Sequence, residues 1–253
     1  MTKPKPKRQL QILAELDNAP SLRIAELARR LSVSTETIRR DLDELTEQGL
    51  LNRTYGGAVR PLSSEPSVTE RHALFVEERQ RIARAALSLV RDGRVIMIGS
   101  GSTTVHVARR IAVEMRNVTV ITHSFGVATV LAINPTIRVL MMPGDYKASE
   151  GATVGVDAVT FLLNFHADFA ILGASGLAEA GPSDALLDCG SVYSMMAQRS
   201  AETVVVADHS KFGKVFPACY APWKQVGHVV TDAPPPSALA AAMRRSGADI
   251  LVC

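Results

Sequence analysis

The chain has 253 residues, of which 47% are hydrophobic, enough to build one large domain or a small and a medium one. Its net charge of +3 lies wholly in residues 1–60, which hold 11 Lys and Arg against 8 Asp and Glu. No apolar run approaches the roughly 18 residues of a membrane span, and none follows the basic N-terminus as in a signal peptide, so we expect a cytoplasmic protein with no membrane partner.

The chain begins with a pattern of three short helices. Residues 8–18, RQLQILAELDN, and residues 24–31, IAELARRL, each place their apolar side chains on one side. Residues 32–34, SVS, form a tight connection to a third helix. Three short helices with a three-residue turn before the last are typical of a helix-turn-helix.

The third helix has one apolar side and one polar end. Ser34 is a good N-cap, Ile38, Leu42 and Leu45 form the apolar stripe, and Gly49 is a plausible stop. Arginine suits guanine edges, and threonine suits methyl groups and phosphates, so this helix fits the major groove of DNA. Taken alone, the segment fits an ordinary amphipathic surface helix equally well. The candidate reading residues are Ser34, Thr35, Glu36, Thr37, Arg39 and Arg40.

A short hairpin is predicted after the third helix. Two short strands flank Gly56 and Gly57, which can supply the positive φ of a turn. We interpret this hairpin as a wing, with Arg53, Tyr55 and Arg60 able to reach phosphates.

The stretch TIRRDLDELTEQGLLNRTYGGA, residues 37–58, resembles the signature of the DeoR family of bacterial transcriptional regulators. The resemblance implies that residues 1–60 form a winged helix-turn-helix domain that binds operator DNA, with the third helix as reader.

Residues 61–76, rich in Pro, Ser and charge, predict a linker. From residue 77 to residue 253, short apolar runs alternate with helical segments. This pattern indicates an α/β domain whose largely parallel sheet is covered on both faces. Ligands in such a domain bind at the carboxyl ends of the strands.

Two loops after predicted strands are suited to phosphate. Ser100, Gly101, Ser102, Thr103 and Thr104 enter a helix, where amides and hydroxyls form an anion cradle. The alternative is a serine-rich helix cap without a ligand.

The second loop, residues 208–213, carries Lys211, which can supply the point charge that a phosphate attracts. Asp208 could orient Lys211 or accept a sugar hydroxyl. The alternative is a surface turn with a solvated lysine.

The second domain also resembles the DeoR-type effector domain, through SGSTT, TVITHS, GASGL and ADHSKFG. The resemblance implies a fold similar to ribose-5-phosphate isomerase and a phosphorylated sugar or polyol as effector, with His123 and Ser175 among the residues that bind it. VVADHSKFG together with TDAPPP resembles the branch of the family that governs glycerol-3-phosphate metabolism, which implies glycerol-3-phosphate as a candidate.

Several positions depart from the family pattern on the side that reads hydroxyls. The family usually has Asp at 99, Asn at 123, a second glycine at 145 and Asp at 175, and an acidic residue with a basic pair on the later helix. This chain has Gly99, His123, Asp145, Ser175, Ser191, Met195 and Met196.

The sequence therefore predicts an effector-controlled repressor that assembles as a homo-oligomer, a dimer or a tetramer. Two alternatives remain: a DNA-binding protein whose second domain only oligomerises, and a sugar-phosphate isomerase with an accessory domain. Isomerisation needs a carboxylate base, but Ser175 stands where an acid would help, so no catalytic residue is assigned. Three scattered cysteines and six scattered histidines predict no metal site, and no cofactor is expected.

Overall fold

A computed structural model of the chain describes residues 8, 9, 11, 12, 15, 21–47, 52–54, 57–59 and 66–253. The chain divides into two compact units, Met1–Ser64 and Glu65–Cys253. Among the described residues, no helix has both the length and the apolar composition that crossing a membrane requires.

The first unit is a winged helix-turn-helix, as the sequence predicted. Residues 8, 9, 11, 12 and 15 are helical. The other described elements of this unit are the strands β1 (Ser21–Arg23), β2 (Asn52–Thr54) and β3 (Gly57–Val59) and the helices α1 (Ile24–Leu31) and α2 (Thr35–Glu47). The three strands form an antiparallel sheet in the order β1-β3-β2. The strand β1 was not predicted, because three residues are too few for an alternating pattern to stand out.

The core of the first unit is the predicted apolar stripe. Ile38, Leu42 and Leu45 of α2 are buried and pack with residues from the preceding segments, including Ile12 and Leu27. Burying each such side chain contributes about 1.5–3 kcal/mol. This packing fixes which side of α2 remains exposed. Gly49, the predicted stop, lies outside the described residues.

The second unit is built on a seven-stranded sheet in which every pair of neighbouring strands is parallel. The strand order is β15-β14-β12-β9-β4-β5-β6. These strands are β4 (Val95–Ile98), β5 (Thr119–Thr122), β6 (Arg138–Met141), β9 (Ala167–Leu172), β12 (Ser200–Val206), β14 (His228–Thr231) and β15 (Asp249–Val252).

Helices cover this sheet, and short strands lie outside it. The helices are α3 (Val68–His72), α4 (Val76–Val90), α5 (Ser102–Glu114), α6 (Phe125–Leu131), α7 (Val156–Leu162), α8 (Leu187–Gln198) and α9 (Ser237–Arg245). The short strands are β7 (Asp145–Lys147), β8 (Ala152–Val154), β10 (Gly176–Ala178), β11 (Gly181–Asp184) and β13 (Ala218–Cys219).

The two faces of the sheet carry separate apolar cores. Along β4, Met97 belongs to one buried cluster, whereas its neighbours Ile96 and Ile98 belong to the other. Successive strand residues point to opposite faces, so both faces of β4 are buried. The predicted α/β architecture, with a parallel sheet covered on both sides, is confirmed.

The second unit begins before residue 77. Helix α3 lies within the predicted linker, and Ser67 caps it by accepting a hydrogen bond from the Glu70 amide at 3.4 Å. Its buried side chain is the charged Arg71. A five-residue helix with a charged buried side lacks the apolar periodicity by which helices are predicted, so the sequence indicated a linker here.

Candidate functional site

The N-terminal half of α2 presents cations and hydroxyls to solvent. The Arg40 side chain is 76% exposed, and its Nε lies 3.8 Å from a carboxylate oxygen of Glu36. Arg39 Nη1 lies 3.5 Å from the other oxygen of Glu36. Exposed pairs of this kind contribute little, so the Arg40 guanidinium can exchange Glu36 for a nucleic acid at small cost.

Ser34 acts as the predicted cap of α2. Its Oγ accepts a hydrogen bond from the Thr37 amide at 3.2 Å and lies 2.8 Å from the Thr37 hydroxyl. The exposed Thr35 follows it. The first turn therefore carries three hydroxyls beside two arginines.

The predicted wing residues are not all placed. Tyr55 and Arg60 lie outside the described residues, as does the side chain of Arg53. The backbone of Arg53 pairs with Ala58 in the β2–β3 hairpin. Their contacts with phosphate remain predictions.

A narrow cleft in the second unit brings together most of the predicted effector-binding residues. The loop that follows β4 forms one wall, where Gly101 has a φ of 126° and α5 begins. Residues from distant segments complete the cleft. Its lining residues are Arg71, Ser100, Gly101, Ser102, Thr103, Glu150, Gly173, Ala174, Ser175, Asp184, Tyr193 and Lys211.

His123 and Thr104 lie behind the cleft, not in its lining. His123 is fully buried, and its Nε2 accepts a hydrogen bond from the Ser100 amide at 2.9 Å. Its Nδ1 therefore donates to the Thr153 carbonyl at 2.7 Å. Burial lowers the pKa of His123 to about 4, so the ring is neutral at pH 7. This geometry suits a residue that positions the loop beginning at Ser100.

Asp208 also lies outside the cleft lining. It is fully buried, and Arg79 donates to its Oδ2 from Nε at 3.2 Å and from Nη2 at 3.0 Å. Ser210 donates to Oδ1 from its amide at 3.2 Å. Burial alone would raise the pKa of Asp208, but the hydrogen bonds from Ser210 and the charge of Arg79 outweigh it and lower that pKa. This arrangement favours holding the Lys211 loop over contacting a sugar hydroxyl.

Tyr193 is a lining residue that carried no sequence signal. Its hydroxyl donates to the Ser100 carbonyl at 2.8 Å and lies 2.9 Å from the Ser100 hydroxyl. A Cβ at Gly99 would lie only 2.7 Å from the Tyr193 ring. The departure at position 99 is therefore linked to the tyrosine, which fills the space beside the strand end.

The cleft combines two cations with two carboxylates. Arg71 and Lys211 supply the positive charge, and Glu150 and Asp184 the negative. Arg71 forms an ion pair with Glu150. An anionic group fits beside the cations and the start of α5, and hydroxyls can donate to the carboxylates. Asp184 lies close in sequence to Ser175, but Arg71 and Glu150 belong to no motif.

Comparison with known proteins places both units. A model described as the DeoR-like helix-turn-helix domain matches residues 8–64, and one described as the DeoR C terminal sensor domain matches residues 74–233. The glycerol-3-phosphate regulon repressor of Escherichia coli (strain K12) is 36% identical over 214 residues, which are 83% of this chain and 84% of the relative.

A second relative spans nearly the whole length. The HTH-type transcriptional repressor CsqR of the same strain is 32% identical over 250 residues, 97% of this chain and 94% of that protein. Among solved structures, ribose 5-phosphate isomerase A from Methanocaldococcus jannaschii is similar, at 26% sequence identity. The alignment covers 53% of this chain and 52% of the isomerase chain. Its TM-score of 0.38 is too low to carry an argument about function.

Proposed function

The chain belongs to the DeoR family of transcriptional regulators, and we propose that it represses a carbohydrate or polyol catabolic operon under the control of a phosphorylated sugar or polyol. The proposal has two parts, an operator-binding surface in the first unit and an effector site in the second. Each part has its own supporting observation and its own test.

The cleft carries the effector part of the proposal. The backbone and hydroxyls of Ser100 to Thr103 stand at the start of the long helix α5, and Lys211 lines the same cleft. Helix N-termini favour anions through their unpaired amides and the helix dipole. A lysine adds the point charge that a phosphate attracts.

The carboxylates of the cleft favour a ligand that also has hydroxyls. Asp184 accepts a hydrogen bond from the Leu186 amide at 2.8 Å through Oδ1 and lines the cleft. Ser175 lines it too. The name of one relative, the glycerol-3-phosphate regulon repressor, makes glycerol-3-phosphate the first compound to test.

The first unit supports operator binding through α2. Its exposed Arg39 and Arg40 suit base edges, and its first turn carries hydroxyls for phosphates. Two copies of this helix would read two half-sites whose centres lie roughly 34 Å apart, or a multiple of that distance. We therefore propose a homo-oligomer, a dimer or a tetramer, as the binding form.

A thermal-shift screen of the full-length protein tests the effector part. The panel contains glycerol-3-phosphate, ribose-5-phosphate, fructose-6-phosphate and inorganic phosphate. A ligand at 100 times its Kd stabilises the native state by about 2.7 kcal/mol, which is readily visible. One organic phosphate should shift the melting temperature more than inorganic phosphate does. If none of the panel shifts it, the second unit is better explained as an oligomerisation domain.

The operator part is tested with DNA selected from a random pool by the full-length protein. Binding of the selected duplex is measured by fluorescence anisotropy with and without the ligand found in the screen. We expect the ligand to weaken operator binding. Selection of no sequence above random DNA would contradict the operator part. Conversion of ribose-5-phosphate to its ketose isomer during incubation would instead support the isomerase alternative.

A further inference from the structure

Arg71 is a buried cation in the wall of the cleft. Only 6% of the residue is exposed, and it lines the same opening as Lys211 and the loop from Ser100 to Thr103. Its guanidinium is paired with Glu150, which also lines the cleft. An ion pair inside a polar cleft is a place where an incoming anion competes directly with the resident carboxylate.

The charges in the cleft favour an exchange of partners. A phosphate monoester carries close to two negative charges at pH 7, whereas Glu150 carries one. The planar guanidinium of arginine can bind phosphate through two parallel hydrogen bonds. A phosphate beside Lys211 would therefore attract Arg71 and repel Glu150.

The helix that carries Arg71 is attached to the rest of the second unit by a few specific bonds. The Val68 amide donates to the Ser149 carbonyl at 2.9 Å, next to Glu150. The Arg71 carbonyl accepts a hydrogen bond from Arg79. Arg79 is in turn held by Asp208, at the start of the Lys211 loop. These hydrogen bonds thus connect α3 to the two segments that carry the cleft residues Glu150 and Lys211.

The same helix is the first element after the DNA-binding unit. Helix α3 begins at Val68, and the first unit ends at Ser64. A change in how α3 is held therefore acts on a short covalent connection. No other helix of the second unit lies so close in the chain to the first unit.

This inference rests on the proposed function. We propose that Arg71 leaves Glu150 to bind the phosphate of the effector, and that this exchange of partners transmits the effect of ligand binding to α3. Glu150 holds Arg71 in the ligand-free state. The ligand replaces that contact and so changes how α3 is attached. Arg71 is then a ligand-binding residue as well as the link to the DNA-binding unit.

Isothermal titration calorimetry on the full-length protein tests the binding step. The ligands are glycerol-3-phosphate, ribose-5-phosphate, fructose-6-phosphate and inorganic phosphate, each titrated into the wild type and three variants. Arg71→Gln should weaken binding of the organic phosphate about tenfold or more, as expected for a lost charge-assisted contact. Glu150→Gln should tighten binding, because the competitor is removed.

The double variant Arg71→Gln/Glu150→Gln separates binding from folding. It removes both charges of this ion pair at once, so it should melt closer to the wild type than Arg71→Gln does. Its affinity for the organic phosphate should nevertheless stay well below that of the wild type, because the Arg71 contact is lost. Wild-type affinity in a well-folded double variant would overturn the proposal, leaving Arg71 a structural role only.

Hydrogen exchange tests the link to α3. Ligand should change the exchange rates of amides in residues 66–76 of the wild type and leave those of the double variant unchanged. An unchanged rate in the liganded wild type would also overturn the proposal.

Lys211→Ala tells this proposal apart from the proposed function. If that variant loses ligand binding while the Arg71 variants keep it, the proposed effector site is supported and the proposed exchange at Arg71 is contradicted. If the wild type binds no member of the panel, both fall together.

Discussion

Arg40 is the residue that we propose reads a base. Its side chain is 76% exposed in the N-terminal half of α2, and its Nε lies 3.8 Å from a carboxylate oxygen of the exposed Glu36. Arg53 sits in the β2–β3 hairpin, where a phosphate contact is the expected role. Replacing Arg40 should therefore weaken binding to operator DNA more than binding to random DNA, whereas replacing Arg53 should weaken binding to both alike.

Arg40→Ala should weaken binding to the selected operator by about 1–3 kcal/mol and weaken binding to random DNA much less. The reason is that base contacts carry specificity, whereas phosphate contacts do not. Anisotropy titrations on both duplexes measure the difference. Arg91→Ala, which removes an exposed arginine from the second unit, is the control. Equal losses on both duplexes would make Arg40 a phosphate contact.

His123 is the residue whose protonation should affect folding. Its pKa of about 4 lies below the ordinary value of 6.5, because burial penalises the charged ring. As the pH falls below 6.5 the unfolded chain takes up the proton first. The free energy of unfolding contributed by His123 is therefore fully present above pH 6.5 and is lost as the pH falls towards 4.

The variant His123→Asn should show a smaller loss of stability between pH 7 and pH 4.5, by on the order of 1–3 kcal/mol. Urea unfolding followed by the fluorescence of Trp223, the single tryptophan, reports on the second unit. His106 has a pKa lowered to about 4 by burial as well, so part of the dependence should remain. His106→Gln should remove that remaining part. An identical slope in the wild type and His123→Asn would contradict this prediction.

At the scale of elements, the end of β4 and the helix α8 are fitted to each other. The strand ends against Tyr193, whose ring leaves no room for a Cβ at position 99. The same tyrosine hydrogen-bonds to Ser100, the first residue of the loop that enters α5. The shape of the loop therefore depends on a helix some ninety positions later in the chain.

Gly99→Ala should lower stability by about 1–3 kcal/mol through overpacking against Tyr193. The penalty should shrink in a Tyr193→Leu background and persist in Tyr193→Phe, which keeps the ring and loses the hydroxyl. Melting temperatures of the single and double variants complete the cycle. A penalty that is the same in all three backgrounds would show that the tyrosine ring is not its cause.

At the scale of the whole molecule, the proposed function requires that an effector bound to the second unit change DNA binding by the first. Two sites that are coupled in this way influence each other equally. Ligand that weakens operator binding must itself bind more weakly, by the same factor, when operator is present. The coupling can therefore be broken at the ligand site without touching the DNA surface.

Lys211→Ala should bind operator as the wild type does without ligand and lose the response to ligand. The cause is the loss of the cleft's point charge, which leaves the first unit unchanged. Anisotropy with and without the organic phosphate measures the response. Lys214→Ala, three positions later and outside the cleft lining, should respond normally. A full response from Lys211→Ala would exclude a role in phosphate binding.

The sequence by itself determined the features that depend on neighbours along the chain. The apolar spacing of Ile38, Leu42 and Leu45 predicted α2 and its buried side, and the alternation of apolar runs with helices predicted the parallel sheet. The loop from Ser100 to Thr104 was recognisable because its glycine and hydroxyls are consecutive. Such signals are local, so a single sequence contains them.

Only the tertiary structure decided what surrounds those loops. Arg71 meets Glu150 across 79 positions, Ser100 meets Tyr193 across 93, and Arg79 meets Asp208 across 129. Residues this far apart come together only when the helices and loops pack around the strand ends of the sheet, so no spacing in the sequence marks them. For the same reason the sequence predicted Asp208 and His123 as effector-binding residues, whereas neither residue lines the cleft in the structure.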